Sequence, residues 1–448
     1  MTAPGQTIYE ATIPRGKIGL SPSCGSMIAL DDGRLMLAWG HGSAEPVHPV
    51  MVNYSSDGGR TWTDPVPHKL ESGADLTGVI APQFVRLPSG ALAMALKSAV
   101  EKQSRYLDTF YQCSFHVSRD EGRTWSPGIP INGKNEHTRG ESSNVDGVIC
   151  LSSGRLVVPF SKTMGPSPAA EKLRSENLFG EPLMGGWTSS VAFSYVYYSD
   201  DEGLTWRRSH NEVHASVDGG MGGAFPMSEP QVAELDDGRL LLMALTPLGR
   251  MFRSYSTDRG ESWLEAEPTD LAVRGGGSFA LKNVAGTGDL LIIWCQLSRF
   301  EAMQGLYRHR LSCAVSKDGG LSWQNHRNLV SLDDVTRIEP GPIVQWLSGP
   351  VRQPLDRQRY HRAPGPLRND HAYCTFHDGN AIVVHGQGVL GERAVIEQTY
   401  GMEWDALVES LGFEPNPRKP PSSVWGNNKV HVLPVDWLYG GADSGSSS

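Results

Sequence analysis

Apolar residues along this chain fall in short runs that follow tight turns, and this pattern predicts β-strands. Four turns built on Gly with Asp, Ser or Pro lead directly into apolar strands, at residues 30–39, 87–96, 151–160 and 235–245. Looser copies of the same unit begin at residues 285 and 376. Six strand–turn units in one chain indicate a repetitive all-β fold, because each unit must bury its apolar face against a neighbour.

A second pattern, S-x-D-x-G-x-[TS]-W, alternates with the first and is called the Asp motif below. It occurs five times, at residues 55–62, 118–125, 199–206, 256–263 and 316–323. Successive copies start 63, 81, 57 and 60 residues apart, a spacing that fits one four-stranded blade with variable loops. Ser and Asp side chains bond nearby backbone N–H groups in such a hairpin, Gly supplies a positive φ, and Trp is buried.

The two patterns together predict a six-bladed β-propeller with four-stranded antiparallel blades, in which one blade lacks the Asp motif. We expect a single domain over residues 1–448, with the ring closed by pairing of residues 430–435 with an N-terminal strand near residues 8–13. Two Pro- and Gly-rich segments, near 163–190 and 345–370, interrupt the repeat. Long loops in a compact fold are commonly functional, so we expect these insertions to lie over the central funnel.

Composition limits the classes of partner and compartment. The 448 residues are 39% hydrophobic and 20% charged, which suits a packed core. A net charge of −9 argues against nucleic acid as a partner. The sequence contains no run of about 20 apolar residues for a membrane span and no signal-peptide pattern at its start. With six cysteines and no CxxC, we expect free thiols and a cytoplasmic location; the oligomeric state stays open.

The Asp motifs, together with the run at residues 228–240, resemble the sialidase (neuraminidase) superfamily, in its BNR/Asp-box branch. The resemblance extends over nearly the whole chain. It implies a propeller that hydrolyses glycosides with a tyrosine nucleophile, a glutamate that activates it and an aspartic acid/base. It also implies three arginines that hold the substrate carboxylate. A neutral phenol suits this chemistry, because a carboxylate nucleophile would be repelled by the substrate's own negative charge.

Three of these roles carry over to single positions. Glu229 in Ser-Glu-Pro matches the family's glutamate, and Tyr373 in Ala-Tyr-Cys matches its tyrosine nucleophile. Arg308, in an Arg-x-x-Leu run before an Asp motif, matches the third clamp arginine. The resemblance therefore implies that Glu229, Tyr373 and Arg308 line one central site.

The other two clamp positions lack arginine. Residues 21–27 contain none where the first is expected, and Leu245 stands where the second is expected. Each missing charge-assisted contact would cost about 1.5–3 kcal/mol of substrate binding. Arg250 and Arg253, on the next strand, are the nearest possible replacements. The departure shifts the expectation from sialic acid alone toward other acidic or polar sugars, such as a uronic acid.

The acid/base position also departs from the family, because the loop at residues 40–49 contains no aspartate. Glu45 and His48 are the candidates there, since either residue type works as a general acid once its pKa approaches neutrality. Before the third strand–turn unit, Glu141, Asn144 and Asp146 are candidate substrate-binding groups. The fourteen histidines show no metal-binding spacing, so neither a metal nor a cofactor is predicted.

Three functions remain in competition at this point. The first is an exo-acting glycoside hydrolase of the sialidase-like type that acts on an acidic or polar sugar. The second is a polysaccharide lyase, or another non-hydrolytic enzyme, in which Tyr, His and Arg side chains act on a uronate. The third is a carbohydrate-binding propeller without catalysis. All three take a carbohydrate as the partner.

Overall fold

Antiparallel sheets of four strands, repeated six times, make up the structure, which is a computed structural model. The structure describes residues 9–13, 25–40, 48–78, 80–101, 110–134, 141–143, 145–164, 191–217, 223–273, 279–303, 308–343, 368–390, 403, 406 and 423–440. The six-bladed β-propeller predicted from the two repeats is confirmed.

Within the described ranges, the strands and two short helices follow in chain order. The first strands are β1 (Tyr9–Ile13), β2 (Gly25–Ala29), β3 (Leu35–Trp39), β4 (His48–Pro49), β5 (Met51–Ser55), β6 (Val66–Pro67), β7 (Lys69–Leu70) and β8 (Thr77–Gly78). Next come β9 (Ile80–Arg86), β10 (Leu92–Glu101), β11 (Phe110–Ser118), β12 (Thr124–Trp125), β13 (Ile129–Pro130), β14 (Glu141–Ser143), β15 (Ile149–Cys150) and β16 (Leu156–Met164). The middle of the chain forms β17 (Val191–Ser199), β18 (Arg207–Arg208), β19 (Ala215–Ser216), β20 (Ala224–Phe225), β21 (Ser228–Glu234), β22 (Leu240–Leu245), β23 (Arg250–Ser256) and β24 (Glu267–Ala272). The remainder forms β25 (Ala280–Asn283), β26 (Leu290–Cys295), α1 (Arg299–Met303), β27 (Leu311–Ser316), β28 (Gln324–Val330), β29 (Arg368–His377), β30 (Asn380–Leu390), β31 (Ser423–Pro434) and α2 (Val435–Leu438).

Each blade is a meander whose first strand is innermost. Blades 1, 2, 4 and 5 are β2-β3-β5-β6, β9-β10-β11-β13, β21-β22-β23-β24 and β25-β26-β27-β28. In blade 3 the innermost strand is split into β14 and β15, which both pair with β16, followed by β17 and β18. Blade 6 is β29-β30-β31 with β1 as its outer strand. The ring therefore closes by the predicted pairing of the chain's two ends, with Tyr9 opposite Val432 and Ile13 opposite Asn428.

Packing between blades explains why the second strands read as unbroken apolar runs. Both faces of such a strand are covered by neighbouring blades, so alternation with polar residues is lost. All six residues of β22 and all six of β26 are buried. The core is thus a set of layers between adjacent blades, such as the one that Trp294 and Phe279 share with blade 4.

The Asp motifs form the turns between third and fourth strands, as their chemistry predicts. In the first copy, Ser55 Oγ donates to Asp57 Oδ1 over 2.9 Å and accepts the backbone N–H of Gly59 at 2.8 Å. The Asp57 carboxylate also accepts the backbone N–H of Thr61 at 2.8 Å. Gly59 has φ of 88°, a left-handed value that favours glycine. The Ser and Asp side chains thus accept backbone N–H groups that have no partner strand in the turn.

Strand direction divides the propeller into two ends. The innermost and third strands of a blade are parallel, because each is antiparallel to the second strand. The Asp motifs follow the third strands, so they lie at the end where the innermost strands finish. The opposite end, where the innermost strands begin, is called the site face below.

The described cysteines are unpaired with one another. Five cysteines lie in described parts of the chain, and each is a free thiol: Cys113, Cys150, Cys295, Cys313 and Cys374. Within the described ranges, no helix has the length and apolar character that crossing a lipid bilayer requires.

Two buried histidines make the fold sensitive to acid. His68 Nδ1 accepts the indole N–H of Trp125 at 3.1 Å, and His431 Nε2 lies 2.9 Å from His385 Nε2. Burial lowers the pKa of His68 to about 3, and burial with the nearby Lys429 charge lowers the pKa of His431 to about 4. Both rings are therefore neutral in the folded chain at pH values where the unfolded chain, with a pKa near 6.5, protonates them.

We predict that the free energy of unfolding falls as the pH drops from about 6.5 toward 4, by up to about 1.4 kcal/mol per pH unit for each of the two histidines. The sign follows because the unfolded state binds the extra protons in this window. His68→Asn keeps an acceptor for Trp125 and removes one titrating group, so its stability should decline less steeply with acid. Urea unfolding at several pH values measures this. The exposed His210→Gln should keep the full slope, and equal slopes in all three proteins would contradict the assignment.

Candidate functional site

Polar residues singled out in the sequence gather at the site face. Glu229 and Glu141 stand at the beginnings of innermost strands β21 and β14. Arg308 precedes the third strand of blade 5. Tyr373 lies within β29, and its hydroxyl reaches Gly25, the first residue of β2. All four therefore share one end of the propeller, although they come from four different blades.

Glu229 combines an unusual backbone with a carboxylate oxygen that no described residue bonds. Its φ is 53°, in the left-handed region that non-glycine residues rarely occupy. The atom Oε2 is buried and has no hydrogen-bond partner among the described residues. Each feature costs free energy unless a further group compensates it. An acidic side chain kept in this condition is typical of a functional site.

Tyr373 is fully buried between blades 6 and 1. Its hydroxyl accepts a hydrogen bond from Asn428 Nδ2 at 3.3 Å. A Cβ added to Gly25 would lie 3.1 Å from the Tyr373 oxygen and 2.6 Å from the carbonyl of Ala38. Glycine at position 25 is thus required for the close approach of the phenol to the first strand of blade 1.

Arg308 also has a left-handed backbone, with φ of 54°, and is 7% exposed. Its carbonyl accepts two hydrogen bonds from Asn369, from the backbone N–H at 2.9 Å and from Nδ2 at 3.0 Å. Since Asn369 belongs to β29, these bonds fasten the Arg308 backbone of blade 5 to blade 6.

The two residues after Arg308 enter a buried ionic cluster. Arg310 donates to both carboxylate oxygens of Asp333, at 2.6 and 2.7 Å, and its Nη1 lies 2.9 Å from Glu301 Oε1. Burial lowers the pKa of His309, so at neutral pH the cation of this cluster is Arg310. Burial acts to raise the pKa of Glu301, but the hydrogen bond from His309 and the charge of Arg310 lower it overall. The cluster gives Arg308 a rigid base.

The second clamp position is apolar, and its two possible replacements are engaged elsewhere. Leu245 is fully buried and pairs with Ser228, the neighbour of Glu229. The Arg250 guanidinium donates to the carbonyls of Thr269 and Gly341. Arg253 donates at 2.9 and 3.0 Å to two carbonyls of the fifth Asp motif, so it lies at the opposite end of the propeller.

Glu141 is the centre of a hydrogen-bond cluster in blade 3. It is 1% exposed, and its carboxylate accepts bonds from the hydroxyls of Tyr195 and Tyr197 and from Asn132 Nδ2 at 3.0 Å. Burial, together with the Glu141 charge, raises the pKa of both tyrosines. The phenols therefore stay protonated and donate to Glu141. Arg208 lies over the Tyr195 ring, 3.9 Å from its centroid.

Asp146 lies in a turn between β14 and β15 that projects into the centre of the propeller. We call residues 145–148 the axial turn. Asp146 has φ of 50° and is 4% exposed. Its carboxylate accepts Ser26 Oγ at 2.6 Å, forms an ion pair with Lys282 Nζ at 2.9 Å and lies 3.4 Å from the backbone nitrogen of Cys374. The described contacts of Asp146 are thus with protein groups.

Three further hydrogen bonds hold the axial turn. The Val145 carbonyl accepts Gln231 Nε2 at 2.6 Å, and the Gly147 N–H donates to Gln83 Oε1 at 3.0 Å. Lys282 Nζ also donates to the Asp146 carbonyl at 3.0 Å. The turn of blade 3 is therefore bonded to every other blade of the ring.

Several predicted residues lie wholly or partly outside the described residues. Glu45 and Asn144 are among them, as are most of the two insertions near 163–190 and 345–370. His48 is described only in its backbone, where β4 pairs with β8 at the site face. The described residues include no group of three or more His, Cys, Asp or Glu side chains arranged to hold a metal ion.

Comparison with known proteins identifies relatives of the chain. The sequence model of the BNR repeat-like domain family matches residues 33–375. Human Sialidase-4 (Homo sapiens) is 38% identical over 125 residues, which are 26% of this chain and 20% of that protein. The chain therefore matches about a fifth of the length of this curated relative.

Solved structures resemble the fold over most of the chain. A protein of unknown function from Dyadobacter fermentans superimposes with a TM-score of 0.53 at 14% identity, over 96% of this chain and 100% of that one. The Hadza microbial sialidase Hz136 gives 0.53 at 17% identity, over 84% of this chain and 65% of that one. Trypanosoma rangeli sialidase in complex with the inhibitor DANA gives 0.51 at 12% identity, over 96% and 58%. At these identities the likeness concerns the fold alone.

Sequence reasoning missed most of the partners at the site face. Tyr195 and Tyr197 are two residues apart, a spacing that places both on one face of a strand. Ser26, Gln83 and Gln231 each stand four residues before the leucine of a strand–turn unit. A polar residue repeated at this position of three blades is a detectable signal for a shared polar axis.

Replacement of Glu229 by glycine tests whether this residue is retained at a cost to stability. Glu229→Gly removes the left-handed strain and the unpaired oxygen, so we expect the free energy of unfolding to stay the same or to rise by about 1 kcal/mol. Denaturant unfolding measures it. Glu121→Gly is the matched control: its φ is 59°, but its carboxylate bonds Arg86 at 2.8 Å, so stability should fall. A marked loss of stability in Glu229→Gly would show that Glu229 is structural.

Proposed function

The chain belongs to the BNR repeat-like domain family, and we propose that it is a sialidase-like exo-glycoside hydrolase acting on an acidic or polar sugar. The site face is its active site. Glu229 and Tyr373 form the nucleophilic pair, and Arg308 holds the substrate's acidic or polar substituent. Glu45 or His48 protonates the leaving group.

The single observation that carries the proposal is the state of Glu229. The Glu229 Oε2 atom is buried, lies on a left-handed backbone and has no hydrogen-bond donor among the described residues, so within that part of the chain it can accept a proton or a further hydrogen bond. The family resemblance assigns the glutamate at this position the task of accepting the proton of the tyrosine nucleophile. The unfilled acceptor of Glu229 is consistent with that task.

The reaction follows from the assigned roles. As the Tyr373 oxygen attacks the anomeric carbon, its proton passes to the Glu229 carboxylate and the leaving-group oxygen takes a proton from the general acid. A covalent glycosyl–tyrosine then forms, and water cleaves it with the same residues in reverse roles. The overall reaction is hydrolysis with retention of configuration, and it consumes one water per glycosidic bond.

The substrate class follows from the cationic groups that remain. Of the three clamp positions, only the third carries an arginine, Arg308. The first, in residues 21–27, has none, and Leu245 occupies the second. A single guanidinium makes fewer contacts with a carboxylate or a polar group than three guanidinium groups make. The proposal therefore favours a sugar with a modest anionic or polar substituent, such as a uronic acid, over obligate recognition of sialic acid.

Kinetics on fluorogenic glycosides of uronic acids and of sialic acid test the proposal. We expect one of these sugars to be hydrolysed. Tyr373→Phe and Glu229→Gln should each lower kcat/KM by about 100-fold or more, because the first variant removes the nucleophile and the second removes the base that activates it. Tyr255→Phe and Glu267→Gln are matched controls. Tyr255 bonds the Gly319 carbonyl in the fifth Asp motif and Glu267 lies on the outer strand of blade 4, so both should keep wild-type rates.

Other outcomes identify the competing functions. Full activity in Tyr373→Phe would contradict the proposed nucleophile. An unsaturated product that absorbs ultraviolet light, formed from a polyuronate without hydrolysis, would indicate a lyase. Saturable binding of a sugar with no product of either kind would indicate a carbohydrate-binding propeller.

A further inference from the structure

The axial turn contacts the two strands that carry the proposed nucleophilic pair. Gln231, whose amide bonds the Val145 carbonyl, is two residues after Glu229 in β21. Cys374, whose backbone nitrogen faces the Asp146 carboxylate, directly follows Tyr373 in β29. Blades 4 and 6 are not neighbours in the ring, because blade 5 stands between them. The turn thus connects two strands that no sheet pairing connects.

We propose that Asp146 and Lys282 form a positioning pair, which sets the separation of β21 and β29 and thereby aligns Glu229 with Tyr373. This inference rests on the function proposed above and assigns Asp146 a task other than contact with the sugar. Asp146 and Lys282 are positioning residues, since the described contacts of Asp146 are with Ser26, Lys282 and Cys374 and not with the proposed reacting atoms.

Lys282 holds the turn from the intervening blade. Its Nζ bonds both the carboxylate and the carbonyl of Asp146, at 2.9 and 3.0 Å, which fixes the side chain and the backbone of the same residue. The side chain of Asp146 is 5% exposed and that of Lys282 is 20% exposed. A pair so little exposed is weakly screened by water, so its attraction is stronger than that of a surface ion pair.

The left-handed backbone of Asp146 also supports a positioning role. A φ of 50° is unfavourable for aspartate, yet it brings both carboxylate oxygens and the carbonyl to three different blades at once. On the blade 1 side, Ser26 Oγ donates to Asp146 and accepts the Phe84 N–H of blade 2 at 3.0 Å. A shift of the turn therefore moves several innermost strands together.

The test compares the double variant Asp146→Asn/Lys282→Met with the wild type. Changing both residues avoids a buried unpaired charge, which would unfold the chain for an unrelated reason. We expect the Cys374 amide, which faces the Asp146 carboxylate, to exchange hydrogen about tenfold faster, and the amides of residues 231–232 to exchange faster because the displaced turn holds the Gln231 side chain less firmly. Where a substrate is hydrolysed, kcat should fall about 10- to 100-fold with KM little changed, since alignment is lost and Arg308 is retained.

Arg155→Met is the matched control. Arg155 is a 5% exposed cation that joins blade 3 to blade 4 through Glu261 at 2.9 Å, but it does so at the Asp-motif end. It should lower stability and leave both kcat and exchange at Cys374 unchanged. If the double variant does not fold, Gln231→Leu removes only the bond to Val145 and should give faster exchange in β21 with a lower kcat.

Two results would overturn the positioning role: unchanged exchange at Cys374 and in β21, or an equal loss of kcat in Arg155→Met. Failure of the proposed function is distinguishable from this. If the wild type hydrolyses no glycoside, the function fails, while the exchange measurement still decides whether the axial turn holds β21 and β29.

Discussion

The axial turn of blade 3 is the contact on which the arrangement of the six blades at the centre depends. Adjacent blades pack through apolar layers, whose dispersion and hydrophobic contacts have little directionality. Hydrogen bonds and ion pairs require defined distances and angles. By bonding Ser26, Gln83, Gln231, Lys282 and Cys374, the turn imposes one such geometry on all five other blades. At the centre of the ring, polar contacts therefore add a defined geometry to the apolar packing between blades.

This division explains why the site face can hold strained groups. Glu229 and Arg308 both have left-handed backbones, and a flexible chain would relax them. Each is fastened close by: Gln231 bonds the axial turn, and the Arg308 carbonyl bonds Asn369 above the buried Arg310 cluster. The strain is thus supported by neighbouring strands that are buried on both faces. We regard this support as the physical basis for the proposed active site, which combines residues of separate blades.

Much of the fold was predictable, because it depends on local chemistry that repeats. The glycines of the Asp motifs and the leucines of the strand–turn units act within a few residues, so each copy of a motif predicts its own turn. Ring closure by β1 followed from counting units. The candidate site is less predictable: the resemblance singles out Glu229, Tyr373 and Arg308, whose roles stay predictions, but the partners Asn428 and Asn369 come from distant strands. The axial contacts of Asp146 span up to 228 residues, and no short-range pattern encodes which atoms meet.

Trapping of the covalent intermediate tests the account most directly. A fluorinated glycosyl fluoride of the hydrolysed sugar forms the intermediate readily and releases it slowly, so the labelled side chain is found by peptide mass spectrometry. The account predicts one adduct, on Tyr373, which disappears in Tyr373→Phe. An adduct on another side chain, such as Tyr195 beside Glu141, would contradict it, as would turnover of this reagent without any adduct.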